Sequence, residues 1–222
     1  MRAIAILWVI FYHGSVLPFF TTSFFLCILK KAPYLAFITN GDMGVDMFFV
    51  LSGFLIGYVL QKELNKYGSI DYKHFLLSRV FRIWPALFLY QLIKACFEIS
   101  DPWWGVLTPL LFVQNFTGPF DHLWSIAVEF QFYLFSPFLV KWVHRSPRPW
   151  LLPLGIFAVS TAYNVITMSR YCPESWTDSS VWRNPESQCF RYYLPFNYEQ
   201  VIARMSPYGF GIYAAYKHDK GS

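Results

Sequence analysis

In this chain of 222 residues, 14% of the side chains are charged while 55% are hydrophobic and 22% aromatic; ordinary soluble domains carry about 25% charged residues. With a mean hydropathy of +0.35, the composition excludes a soluble enzyme and a disordered tail, and the net charge of +5 comes without the aromatic-interleaved basic runs of nucleic-acid binders. Four cysteines are too few for a disulfide scaffold of this size, so residues 1–222 read as one transmembrane domain.

Ala3 to Leu29 contains no Asp, Glu, Lys or Arg, and as helix it would reach ~40 Å against a hydrocarbon core of ~30 Å. Arg2 and His13 stand eleven positions apart, which returns to within ~20° of the same helix face after a rise of ~16 Å. One face of the first span thus carries a cation at one end and an imidazole near mid-membrane. Arg2 is either an interfacial anchor or functional; His13 either donates to a neighbouring carbonyl or acts chemically.

The next apolar stretch, Met47 to Gln61, opens with Asp46 and contains Ser52, Gly53 and Gly57. Gly53 and Gly57 form a small-xxx-small pair suited to close helix contact, and Asp46 is placed to cap a helix, pair with a cation or take part in chemistry. Between Lys62 and Arg82, five basic residues face only Glu63 and Asp71, which marks a cytosolic linker. Within it Arg79 and Arg82, at i and i+3, form a fork suited to phosphate or, equally, a positive-inside anchor.

Ile83 to Ile93 is the third stretch. Pro102 to Phe120 carries Pro102, Gly105, Pro109, Gly118 and Pro119, and is expected to be re-entrant rather than spanning. It also holds a glycosylation sequon, Asn115-Phe-Thr117, expected to lie too near the membrane for use. His122, Ser125 and Glu129 then share one helix face, and Glu129 falls at nearly the depth of His13, so a histidine and a carboxylate can share one buried site. Phe130 to Val140, Pro149 to Ser169 and Met205 to Tyr216 follow, and Lys141, Arg145 and Arg148 form a second acid-free linker. With both linkers cytosolic, the chain makes about six crossings plus one re-entrant segment. The N-terminus is then inside, about Met168 to Arg204 outside, and Lys217 and Lys220 inside again. Cys172 and Cys189 in the outer segment either form a disulfide or remain thiols. His74, His144 and His218 fall in linkers or tail. No residues have metal-ligand spacing, and there is no Gly-rich phosphate loop or nucleophile elbow.

Four blocks in order carry a resemblance: Arg2-Ala-Ile-Ala-Ile-Leu-Trp-Val-Ile-Phe-Tyr-His13, the stretch from Gly44 to Gly57, Phe75-Leu-Leu-Ser-Arg-Val-Phe-Arg-Ile-Trp-Pro85, and His122-Leu-Trp-Ser-Ile-Ala-Val-Glu129 continuing to Pro137. The chain resembles the membrane-bound acyltransferase-3 family, which includes bacterial acetylases of surface polysaccharides and animal nose-resistant-to-fluoxetine proteins. The resemblance implies an all-α polytopic bundle that moves an acyl group, often acetyl, from cytosolic acyl-CoA to a hydroxyl of a sugar or lipid-like acceptor. The acyl-CoA is a donor substrate and no tightly bound cofactor is implied. Carried onto this chain, Arg2 and His13 become functional and Arg79 and Arg82 lie near the donor phosphates. Depth arithmetic adds His13 as base with Glu129 as partner, and Asp46, Ser52, His122, Trp124 and Ser125 are supporting residues. Bacterial members commonly carry a second acid after the position of Glu129, where Phe130 stands here. The family unit has about ten spans, so six spans make this an incomplete version of it. Two other classes fit the same buried charges: a transporter or channel, and a catalytically inactive relative.

Overall fold

The computed structural model describes residue 7 and residues 41–97, 103–117, 123–173 and 200–221. All regular elements among them are helical: α1 (Gly41–Tyr67), α2 (Tyr72–Phe97), α3 (Trp103–Leu110), α4 (Gln114–Thr117), α5 (Trp124–Arg145), α6 (Leu151–Tyr171) and α7 (Val201–Gly221). The all-α expectation therefore holds for the described residues. Among the described residues, four segments are long and apolar enough to cross a membrane: Met43–Tyr67, Tyr72–Cys96, Trp124–Arg145 and Leu151–Tyr171. Helix α7, 21 residues long, rises ~31 Å, but by composition it is not among these four apolar segments. The span expected over Ala3 to Leu29 lies, apart from Leu7, outside the described residues.

The ends of the long helices follow local chemistry. Gly68, with φ +71°, takes the left-handed conformation that closes α1, and its N–H donates to the Leu64 carbonyl at 2.8 Å, as a glycine C-cap does. Three residues later Asp71 starts α2 by accepting the His74 N–H at 3.0 Å, while its own N–H donates to Glu63 at 2.8 Å. Such side-chain caps satisfy donors that the first helical turn leaves open. A tight hairpin results.

Pairings fix the helix directions. Arg204 meets Asp46 at one end of α1 and α7, and Asn65 donates to Asp219 at the other, so these helices run parallel. Their backbones approach closely: a Cβ on Gly53 would stand 2.5 Å from the Tyr208 carbonyl oxygen and 3.1 Å from Ile212 Cα at Gly57, and one on Gly211 would run into the Val50 carbonyl. The small-xxx-small pair is a packing device, as the sequence predicts. Helix α2 runs against α5, with Tyr72 beside Phe138 and Phe75 beside Tyr133, and Leu87 packs with Ala127. Helix α6 runs against α7, Ser160 donating to the Ile202 carbonyl while Ile156 and Pro153 abut Gly209.

The interhelix turns 68–71 and 146–150, each inside one of the two basic stretches, and the C-terminal end of α7 consequently lie at one end of the bundle. Among the described residues between these turns, α2 and α5 traverse it. The segment expected to be re-entrant forms α3 and α4, of 8 and 4 residues, too short to span at 1.5 Å per residue. They are separated by Phe112, whose φ is +57°. That conformation is costly for a bulky side chain; here Phe112 stacks on Phe130 at 3.9 Å, and its carbonyl accepts from Gln131 at 2.9 Å. Fully buried Asn115 exchanges amide hydrogen bonds with Gln131, at 2.8 and 3.3 Å. The sequon asparagine is committed to packing.

Candidate functional site

At the centre, α1, α5 and α7 close on a stack of three rings, Tyr208 lying 4.7 Å from Phe49 and 3.8 Å from Phe132. Beside it stands Glu129, 8% exposed, on α5. Its Oε1 accepts two hydrogen bonds, from Ser52 Oγ on α1 at 2.8 Å and from the Tyr133 hydroxyl one turn along α5 at 2.6 Å. Such short O–H donors to a carboxylate are among the stronger protein hydrogen bonds. The other carboxylate oxygen, Oε2, accepts no hydrogen bond from the described residues. A buried carboxylate with one oxygen held and the other open can orient a second polar partner.

Tyr133 also touches α2. The Arg79 guanidinium lies 5.8 Å from the Tyr133 ring centroid and 5.3 Å from that of Phe75, within the range of cation–π attraction. The two arginines of the fork part company: Arg79 is half-buried in this aromatic cleft and Arg82 is exposed. Near the start of α5, Arg204 pairs with Asp46 at 3.1 and 3.3 Å and covers the Trp124 ring at 5.8 Å. Trp124 in turn meets Phe49 edge-on at 6.4 Å. Asp46 therefore takes the cation-pairing role among those its position allowed. Ser125, half-buried, stands one turn before Glu129. Cys172 is disulfide-bonded, its partner outside the described residues. Arg2, His13, His122 and Cys189 also lie outside them. No group of His, Cys, Asp and Glu among the described residues could hold a metal ion.

A family model described as an acyltransferase domain, that of acyltransferase family 3, matches residues 1–222. The chain belongs to the acyltransferase-3 family. It is 32% identical over 162 residues to a Staphylococcus aureus (strain COL) protein carrying the name O-acetyltransferase SACOL0978, covering 63% of this chain and 24% of that protein. To the O-acetyltransferase OatA of S. aureus (strain NCTC 8325 / PS 47) it is 29% identical over 182 residues, covering 72% and 27%. The chain thus spans about a quarter of the length of these relatives. No solved structure matches it.

Within this acyltransferase-3 chain the structure brings together Ser52 and Glu129, and joins Asp46 to Trp124 through Arg204. Two residues of the site escaped the sequence reading. Tyr133 follows Glu129 by four positions, the spacing that puts two side chains on one helix face, so the signal was present. Arg204 counted among the charges of the outer segment, and nothing local distinguishes it from its neighbours there.

Proposed function

We propose that this acyltransferase-3 chain is the N-terminal portion of a membrane-bound O-acyltransferase. It takes an acyl group, acetyl by analogy with the names of its relatives, from cytosolic acyl-CoA and transfers it to a hydroxyl of a carbohydrate or lipid-like acceptor. The carrying observation is Glu129, a buried carboxylate with one oxygen fixed by Ser52 and Tyr133 and the other open. A buried ionisable group in a membrane bundle is costly and marks a working site more often than a packing accident.

In this reading His13 pairs with the open Oε2. Glu129 sets its tautomer and stabilises the imidazolium, leaving the second ring nitrogen to accept the acceptor hydroxyl's proton. The hydroxyl oxygen attacks the thioester carbonyl, a C–O bond forms, the C–S bond breaks, and the proton passes from His13 to the departing CoA thiolate. Arg79, Arg82 and Arg2 face the donor, whose phosphates suit guanidinium forks. Six crossings place the N-terminus, both basic linkers and the end of α7 in the cytosol, with the first span and α7 added to the four segments above. The α3–α4 segment is re-entrant, and the non-helical backbone at 111–113 is tolerated because its N–H groups and the Phe112 carbonyl are hydrogen-bonded within the protein.

The test is transfer of label from acetyl-CoA into membrane-fraction material by the full-length protein. Glu129→Gln and His13→Ala are each expected to lower turnover at least ~100-fold, the usual scale of a lost general base or its orienting partner. Wild-type turnover in His13→Ala would remove the base assignment.

A further inference from the structure

Tyr133 lies in the fourth family block one helical turn after Glu129, and the functional reading above gives it no task beyond a hydrogen bond to Glu129. It is 5% exposed, and Phe75 and Phe130 press on it edge-on at 6.2 and 6.4 Å. The Ser136 hydroxyl donates to its carbonyl at 3.1 Å. Its hydroxyl ends 2.6 Å from Glu129 Oε1, and its ring carries the Arg79 guanidinium at 5.8 Å. One rigid side chain therefore touches a cation on α2 and a carboxylate on α5. Arg79 and Glu129 share no direct ion pair among those the described residues form, so the phenol ring stands between two opposite charges.

We propose that Tyr133 is a positioning residue that joins the donor-binding arginine to the carboxylate of the proton-transfer site; this rests on the functional reading above. The hydroxyl fixes the Glu129 carboxylate plane, and with it the direction of Oε2. The ring face holds Arg79 at the edge of the cleft, where it is presented to an incoming phosphate rather than drawn into an ion pair with Glu129. A tyrosine suits both tasks because its polar tip and its π-face are separate surfaces. Phenylalanine at 133 removes only the first task. Leucine removes both.

Donor KM and kcat for acetyl-CoA, measured by label transfer with the full-length protein in native membranes, separate these tasks. Tyr133→Phe should lower kcat ~10- to 100-fold with donor KM unchanged, the size of one hydrogen bond to a charged group. Tyr133→Leu should lower kcat at least as far and also raise donor KM ~5- to 10-fold, the scale of one partly desolvated cation–π contact. Wild-type kcat in Tyr133→Phe overturns the proposal, and so does a donor KM in Tyr133→Leu equal to that of Tyr133→Phe. Glu129→Gln is run beside them: if it is inactive while Tyr133→Phe is fully active, the role of Tyr133 fails and the functional reading stands; if it is fully active, that reading fails first. Elution of each variant as a single detergent-solubilised species checks folding, and the phenylalanine variant keeps the proposal testable if the leucine variant does not fold.

Discussion

Ser52 and Glu129, 77 positions apart in the chain, are joined by a 2.8 Å hydrogen bond in the buried centre of the bundle. The serine is fully buried, so its hydroxyl exchanges no bonds with water, and it ties α1 to the carboxylate of α5. Removing one donor from a buried carboxylate costs about 1–3 kcal/mol. Ser52→Ala is expected to lower the detergent-solubilised protein's melting temperature by a few degrees and to reduce acetyl transfer ~10-fold. Unchanged melting together with unchanged transfer would show that the bond contributes to neither. Tyr133 alone would then orient Glu129.

Backbone proximity between α1 and α7 sets a steric limit at Gly53 and Gly211. A Cβ at Gly53 would meet the Tyr208 backbone, and one at Gly211 the backbone of Val50 and Phe54; backbone cannot move aside as a flexible side-chain end can. Gly53→Val should therefore push the helices apart, costing about 1–3 kcal/mol or more in overpacking. Gly155→Val, at a position where an added Cβ meets nothing within 4 Å, should cost much less. Comparable melting temperatures for the two variants would contradict the close parallel packing.

Much of this architecture can be read from single residues. Charge-free runs announce helices, because an ionisable side chain in lipid is costly and its absence over a long run is informative. Prolines and glycines between Pro102 and Phe120 announce an interrupted helix, and the structure breaks it at Phe112. Glu129 stood out for the same electrostatic reason. What a lone sequence does not carry is which helix neighbours which. Ser52 with Glu129 and Asp46 with Arg204 depend on packing order across 77 and 158 positions, and depth arithmetic gives height along a helix without giving the neighbour. The arginine fork illustrates a finer limit: three positions leave ~60° between side chains, enough on a peripheral helix for Arg79 to face inward while Arg82 stays exposed.

The Asp46–Arg204 pair closes the α1–α7 interface at its N-terminal end. With Asp46 41% and Arg204 15% exposed, solvent screens the pair, and its coupling should be about 1 kcal/mol or less. A double-mutant cycle with Asp46→Asn and Arg204→Met measures that coupling in thermal melts at low and high salt. Arg204→Met alone should cost more than Asp46→Asn, because it also strips the cation from the Trp124 ring. The opposite order would show that the tryptophan contact contributes little.

Parallel α1, α5 and α7 put linkers 68–71 and 146–150 at one end of the bundle, whereas Cys96, free and exposed, lies near the far end of α2. Sidedness therefore becomes a labelling experiment. In a background retaining no other free cysteine, Ser69→Cys and Ser146→Cys, each with Cys96 replaced by serine, should react with a membrane-impermeant maleimide only after the cells are opened. The variant retaining Cys96 alone should react in intact cells. Opposite behaviour of the two linker cysteines would mean that an odd number of helices crosses between them, so that α3 and α4 contribute a crossing. Labelling of both in intact cells would keep the fold and invert its orientation, placing the fork of Arg79 and Arg82 away from cytosolic acyl-CoA and removing the donor-binding role proposed for it.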